Sequence, residues 1–169
     1  MALSETLERL YDAHAQALFA FLLNLLRNEN DARDVLQELF VKIARQPDCL
    51  RNAREERGFL LRMAHNLAID ALRRRETRDR NHEAYGQESM FFEASPTPDE
   101  QTYREQLAAA LGEIPAEQRA VVHLKLWEGL TFEAIAETLN ISTNTAASRF
   151  RYGMDKLRDR LRPLYEEIK

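Results

Sequence analysis

The stretch Thr131-Phe-Glu-Ala-Ile-Ala-Glu-Thr-Leu-Asn-Ile-Ser-Thr-Asn-Thr-Ala-Ala-Ser-Arg149 decides the reading of the fold. Thr131 offers a side-chain cap to a short helix on which Phe132, Ile135 and Leu139 share one face. Ala136 is small where a second helix has to cross closely. Asn140 falls where the chain must turn through a left-handed conformation, which Asn tolerates better than most residues. Ile141 plugs the corner and Ser142 caps the next helix, whose inner stripe is Ala146, Phe150, Gly153, Met154, Leu157 and Leu161. A short helix joined in this way to a second, crossing helix forms a helix-turn-helix.

The other face of the second helix carries Thr143, Asn144, Thr145, Ala147, Ser148, Arg151 and Asp155, with Arg149 and Tyr152 at its edges. Small polar groups at a helix N-terminus can approach base edges and phosphates in the major groove. Arginines further along anchor to the backbone. An amphipathic helical hairpin with a solvated basic face would look similar from spacing alone.

Working outward, helical periodicity returns at Thr102–Gly112 and Pro115–Glu128, and the last helix is expected to run from Ser142 to Pro163. Towards the N-terminus, Leu3, Leu7, Leu10, His14, Leu18, Phe21, Leu22 and Leu25 recur by threes and fours, as one helical face requires. Asn28-Glu-Asn-Asp31 breaks that series and supplies caps. A second helix from about Ala32 to Arg45 turns Val35, Leu36, Leu39, Phe40 and Ile43 inward, and Pro47 stops it. Residues 48–58 read as a polar loop, and a third helix from Phe59 to about Arg75 carries Leu60, Met63, Ala64, Leu67, Ile69 and Leu72. From Glu76 to Gln101 the periodicity fades, and Ser95-Pro-Thr-Pro-Asp99 cannot be helix interior. The expected architecture is therefore all-α: two small helical domains, 1–76 and 102–169, joined by a flexible acidic linker, 77–101. Phe91-Phe92 in that linker would dock either on one of the protein's own domains or on a partner.

Composition narrows the function. The chain has 169 residues, 44% hydrophobic and 31% charged, with 5 Gly and 5 Pro, which suits a helical globular protein. Cys49 is the one cysteine, so an internal disulfide and a Cys-rich zinc site are both excluded. No basic leader opens the chain, and the apolar run 17–23 is far short of the roughly 18 residues of a membrane span. A cytoplasmic protein without membrane insertion is expected. His14, His65, His82 and His123 lack ligand spacing, and neither a glycine-rich phosphate loop nor a nucleophile–base pair is present. Hence no enzyme, small-molecule substrate, cofactor or metal is expected.

The net charge of −4 argues at first against nucleic acid, but its distribution does not. Residues 62–80 hold six arginines against Asp70, Glu76 and Asp79, a net of +3; residues 141–162 carry a net of +4. Between them residues 81–117 carry a net of −7. Local charge, not the total, governs attraction to phosphate.

Three further runs resemble the sigma-70 family, in particular its small extracytoplasmic-function (ECF) type. Asp31-Ala-Arg-Asp34-Val-Leu-Gln37-Glu38-Leu-Phe40-Val-Lys42 is similar to that family's polymerase-binding helix. Gly58-Phe-Leu-Leu-Arg62-Met-Ala-His-Asn66-Leu-Ala-Ile-Asp70-Ala-Leu-Arg73-Arg74-Arg75 is similar to its promoter-melting helix. Ile114-Pro115-Ala-Glu-Gln118-Arg119 through Gly129-Leu-Thr131 is similar to the helices leading into its −35 reader. The resemblance covers both domains in order.

The resemblance implies an alternative sigma factor whose partners are bacterial core RNA polymerase and promoter DNA, with an anti-sigma factor as a further partner. Asp31, Asp34 and Glu38 share one helical face, with Gln37 nearby; the resemblance makes this face, with Phe40 and Lys42, the polymerase contact. Standing alone, such a face reads first as solvated. Arg62, Asn66, Asp70 and Arg73 form a polar stripe, and Arg73–Arg75 exceed what helix-end charge compensation needs. By resemblance this stripe, with Asp48, Arg51 and Asn52 in the preceding loop, holds the −10 element and a flipped-out base. Thr143, Asn144, Thr145, Ala147, Ser148, Arg149, Arg151 and Tyr152 would contact the −35 element. Phe59, Leu61, Ala147 and Tyr152 depart from residues common at those positions, which bears on promoter preference. A stand-alone helix-turn-helix regulator is the alternative, although the first hundred residues offer neither a ligand pocket nor a phosphoacceptor domain.

Overall fold

The computed structural model describes residues 3–51, 53, 55–79 and 98–168, with side chains over 3–51, 53, 55–78 and 100–163. All its regular elements are helical among the described residues, as the periodicity requires. The chain divides into two compact units, Met1–Gly86 and Gln87–Lys169.

In the first unit, α1 (Leu3–Leu26), α2 (Glu29–Arg45) and α3 (Glu56–Asp79) pack pairwise against one another. Their shared core takes Leu10, Leu18, Phe21, Leu22 and Leu25 from α1, Val35, Leu39 and Ile43 from α2, and Leu60, Leu61, Ala64 and Leu67 from α3. Ala32, Ala64 and Ala68 are fully buried, so the helices approach closely there. Arg27 ends α1 in a left-handed conformation (φ 58°), its N–H bonded to the Leu23 carbonyl at 2.8 Å. Asn28 then caps α2, its side chain accepting from the Asp31 N–H at 3.0 Å. The reversal between the two helices is consequently very short, passing through Arg27 and Asn28 alone.

Two details differ from the expectation. His14 does not lie on the apolar stripe in the role its spacing implied: its Nε2 sits 2.8 Å from Glu56 Oε2. Arg9 grips the same carboxylate at 2.8 and 3.2 Å, so the start of α3 is tied to α1 by charge. The segment expected to be loop is also shorter, because Pro47–Leu50 forms a 3-10 turn and α3 begins at Glu56. Proline at the first position of that turn needs no N–H partner.

The second unit holds α4 (Pro98–Gly112), α5 (Ala116–Leu126), α6 (Phe132–Leu139) and α7 (Thr143–Ile168). Ala110, Leu111, Ile114, Val122 and Leu157 make its core, with Leu107, Phe150, Met154 and Leu161 packed on it. Arg119 is buried and donates to the carbonyls of Leu111 (3.2 Å) and Ile114 (2.7 Å), which ties α5 to the turn that follows α4. Gly153 marks the closest approach of α7 to α5: a Cβ there would stand 2.8 Å from Val122 Cγ2.

Helix ends reach further than periodicity foretold. α3 continues to Asp79, and α4 starts at Pro98, where proline occupies the first helical position. α7 passes through Pro163, where it was expected to end, and continues to Ile168. Pro163 is exposed, so the carbonyl it leaves unbonded one turn back can be solvated. Phe91 and Phe92 lie outside the described residues.

Candidate nucleic-acid interface

The helix-turn-helix forms as its turn chemistry requires. Thr131 Oγ1 accepts from the Ala134 N–H at 3.1 Å, Asn140 adopts φ 57° and ψ 50°, and Ser142 Oγ accepts from the Thr145 N–H at 3.0 Å. Ile135, Ala136, Leu139 and Ala146 are buried between α6 and α7. The Phe132 and Phe150 rings meet edge-on at 5.6 Å between centroids. Each helix terminus is thus satisfied locally, and the first turn of α7 is presented rigidly.

That turn exposes Thr143 and Asn144, while Thr145, Ala147 and Ser148 are half-buried or on its margin. Arg151 and Tyr152 are exposed further along, the guanidinium standing 5.2 Å from the ring centroid. Such a cation–π contact restrains both side chains while leaving donors free to reach phosphate. Arg149 points elsewhere, pairing with Glu117 of α5 at 3.5 Å. The spacing of the sequence placed Arg149 at the edge of this face but could not reveal its partner.

In the first unit a second polar stripe runs along α3. Arg62, Asn66, Asp70, Arg73 and Arg74 are all exposed, over about 18 Å of helix at roughly 1.5 Å per residue. Phe59 and Met63, half-buried, flank its start. Asp48 and Arg51 are largely exposed and paired to each other at 3.4 Å beside the 3-10 turn. Asn52 lies outside the described residues. Arg75 is set apart from its neighbours: it reaches back to the Leu26 carbonyl (2.8 Å) and to Asp31 (3.1 Å).

On α2, Asp34 and Gln37 are exposed and Glu38 is paired with Lys42 at 4.0 Å. Asp31 shares their face, with its carboxylate toward Arg75. Phe40 belongs to a different side of the helix, half-buried against Tyr11 of α1 with ring centroids 5.3 Å apart. Amid the charged residues sits Val41, 45% exposed, which sequence reading missed. A single exposed apolar side chain is ordinary on a protein surface, and Val41 adds apolar area beside the polar residues of this face. Its place one helical turn beyond Gln37 and two beyond Asp34 would have disclosed it.

His123 and Glu56 are the groups most perturbed electrostatically. Burial lowers the His123 pKa to about 4, so the imidazole is neutral at pH 7; it stacks on Trp127 at 5.3 Å. Hydrogen bonds from Arg9 and then from His14 hold the Glu56 carboxyl down at about 2. Both lie in the scaffold, away from the stripes. Among the described residues no acidic, histidine or cysteine cluster could hold a metal, and no helix is long and apolar enough to cross a membrane.

Comparison with known proteins agrees with this geometry. The family model for sigma-70 region 2 matches residues 10–78, and that for sigma-70 region 4 matches residues 104–157. The chain is 35% identical over 159 residues to the ECF RNA polymerase sigma factor SigL of Mycobacterium tuberculosis (strain H37Rv), covering 92% of this chain and 88% of that one. It is 32% identical over 167 residues to the RNA polymerase sigma factor CarQ of Myxococcus xanthus, covering 97% and 94%. Among solved structures, the sigma factor RpoE in complex with the anti-sigma factor NepR from Bartonella quintana shares the fold. Its TM-score is 0.74 at 19% identity, over 92% of this chain and 96% of that one. The CnrH structure, in complex with the cytosolic domain of CnrY, has a TM-score of 0.70 at 21% identity, over 95% and 90%. With two regional models matched in order and relatives above 30% identity along nearly its whole length, the chain belongs to the ECF group of the sigma-70 family.

Proposed function

We propose that this chain acts in the cytoplasm as a non-catalytic initiation subunit, which docks on bacterial core RNA polymerase through α2 and reads promoter DNA through α3 and α7. The observation that carries the reading is the exposure of two separate polar, arginine-bearing stripes, one of which shares a three-helix unit with the exposed Asp34, Gln37 and Val41 of α2. Asp34, Gln37, Glu38, Val41 and Lys42 would meet a basic helical surface on the polymerase. Arg62, Asn66, Asp70, Arg73 and Arg74 would track one strand of the −10 element, with Asp48, Arg51 and Asn52 beside the extruded base. Base extrusion costs a few kcal/mol, which contacts in such a site can offset. Thr143, Asn144, Ser148, Arg151 and Tyr152 would enter the −35 major groove. In this reading residues 1–76 and 102–169 are the two readers, and 77–101 joins them. Two structural relatives are complexed with an anti-sigma factor or a cytosolic domain, which supports a protein inhibitor as a further partner.

Co-purification with bacterial core RNA polymerase tests the reading. Wild type is expected to bind stoichiometrically, and the Asp34→Arg/Glu38→Arg double variant to lose binding at least tenfold while remaining folded. Failure of the wild type to bind core, combined with tight binding to duplex DNA alone, would instead establish a stand-alone regulator.

A further inference from the structure

The last side chain of α3 buried in the core is Ala68. Beyond it Ile69, Ala71 and Leu72 are half-buried and Arg73 and Arg74 are exposed, so the C-terminal half of the helix has little apolar burial to hold it. Arg75 lies two turns past Ala68, about 10 Å further along the axis. Two of its contacts reach the corner between α1 and α2. One guanidinium nitrogen donates to the carbonyl of Leu26, the last residue of α1, at 2.8 Å; the other lies 3.1 Å from Asp31 in the first turn of α2. A carbonyl at a helix C-terminus has no intrahelical partner, so Arg75 supplies one. The short reversal through Arg27 and Asn28 is what brings the Leu26 carbonyl and Asp31 within reach of one planar fork.

We infer that Arg75 is a positioning residue, a latch between the docking helix α2 and the far end of the DNA stripe on α3, and not itself a phosphate contact. This deepens the reading given above and rests on it. The latch directly follows Arg73 and Arg74. Its release would leave those arginines on a helix end free to bend away from Arg62 and Asn66. Asp31 is correspondingly an internal partner, and the polymerase-facing acids are Asp34 and Glu38. Beyond the shared core, this guanidinium couples docking on α2 to strand capture at the far end of α3.

The two roles differ in their salt dependence. Each phosphate contact contributes about 0.7 to 0.9 to the slope of log K against log salt, whereas a positioning residue contributes nothing directly. The test uses holoenzyme assembled from core polymerase and the full chain, with a fluorescent promoter fragment selected from random DNA by the wild-type holoenzyme. Arg73→Ala is expected to weaken binding and flatten the slope by nearly one unit. Arg75→Ala is expected to weaken it about fivefold with the slope unchanged, because the bound complex still makes the Arg73 and Arg74 contacts and the loss is the cost of ordering a freed helix end, and Asp31→Ala to do the same. The Asp31→Ala/Arg75→Ala double variant should be no worse than Arg75→Ala, and Arg75→Lys, which keeps one of the two contacts, should recover part of the loss. Thermal unfolding shows that each variant folds. A slope change in Arg75→Ala matching that of Arg73→Ala, with losses that add to those of Asp31→Ala, would overturn the latch alone. If wild type fails to join core, the functional reading fails and the latch's role in initiation falls with it.

Discussion

His123 is 1% exposed and its pKa is lowered to about 4 by burial, against 6.5 for the free side chain. Between those values the unfolded chain binds a proton that the folded one refuses, so stability rises with pH across the window. Acidification from pH 6.5 should therefore weaken the second unit by up to about 1.4 kcal/mol per pH unit, levelling off near pH 4. Trp127, the single tryptophan, stacks on His123, so denaturant titration followed by its fluorescence reads that unit locally. His123→Asn should remove the slope in this window. Glu56 contributes in a lower window. Its pKa is depressed from 4.5 to about 2, so its contribution is complete above pH 4.5 and lost as pH falls toward 2. Its side chain is 35% exposed, and solvent screening holds the contribution near about 1 kcal/mol. Glu56→Gln should lose that amount at pH 7, measured by urea unfolding, and show no dependence from this source below pH 4.5.

At the scale of elements, the helix-turn-helix depends on a few backbone positions. Asn140 occupies the left-handed region, so Asn140→Ala should cost about 1 kcal/mol and Asn140→Gly little or nothing. Removing the α7 cap in Ser142→Ala should cost about 1 kcal/mol. Gly153→Ala forces a methyl to within 2.8 Å of Val122 Cγ2, so either the Val122 side chain or the α5–α7 contact must shift. The expected penalty is about 1–3 kcal/mol, with a matching drop in duplex binding if α7 is displaced as a body. Thermal melts followed by fluorescence would check all three, and a Gly153→Ala variant as stable as wild type would contradict the packing described. These positions were legible beforehand because turn chemistry is local: a cap, a left-handed residue and a small residue each leave a mark in sequence. The ends of α3 and α7 were not legible. α3 runs past Leu72, the last apolar position of its stripe, where periodicity no longer marks the helix, and α7 continues beyond Pro163, a residue that ordinarily bounds a helix.

For the whole molecule, the functional reading assigns separate tasks to separate units. Arg151→Ala should lower affinity for a −35 duplex and reduce its salt slope by about 1, while leaving strand opening on a pre-melted template intact. Arg62→Ala/Asn66→Ala should do the reverse, slowing opening with little effect on duplex binding. Permanganate footprinting and filter binding on one promoter would separate the two effects, and identical defects in both variants would contradict the division of labour. The net charge of −4 forbids none of this, because a Debye length of about 8 Å at physiological salt lets each basic face act locally.

By itself the sequence determined the helical class, the helix-turn-helix with its caps, the two basic islands and the polar stripe from Arg62 to Arg74. All of these rest on contacts between residues a few positions apart, and period and turn chemistry encode such contacts directly. Only the tertiary structure decided which charges are spent internally. Arg75 is engaged by Asp31 and Leu26, Arg149 by Glu117, and Glu56 by Arg9 and His14. It also set Phe40 against Tyr11 and left Val41 exposed beside Gln37 and Glu38. Arginine reads the same in sequence whether it waits for a phosphate or closes a salt bridge to another helix. That choice is made by distances between helices, which no local pattern records.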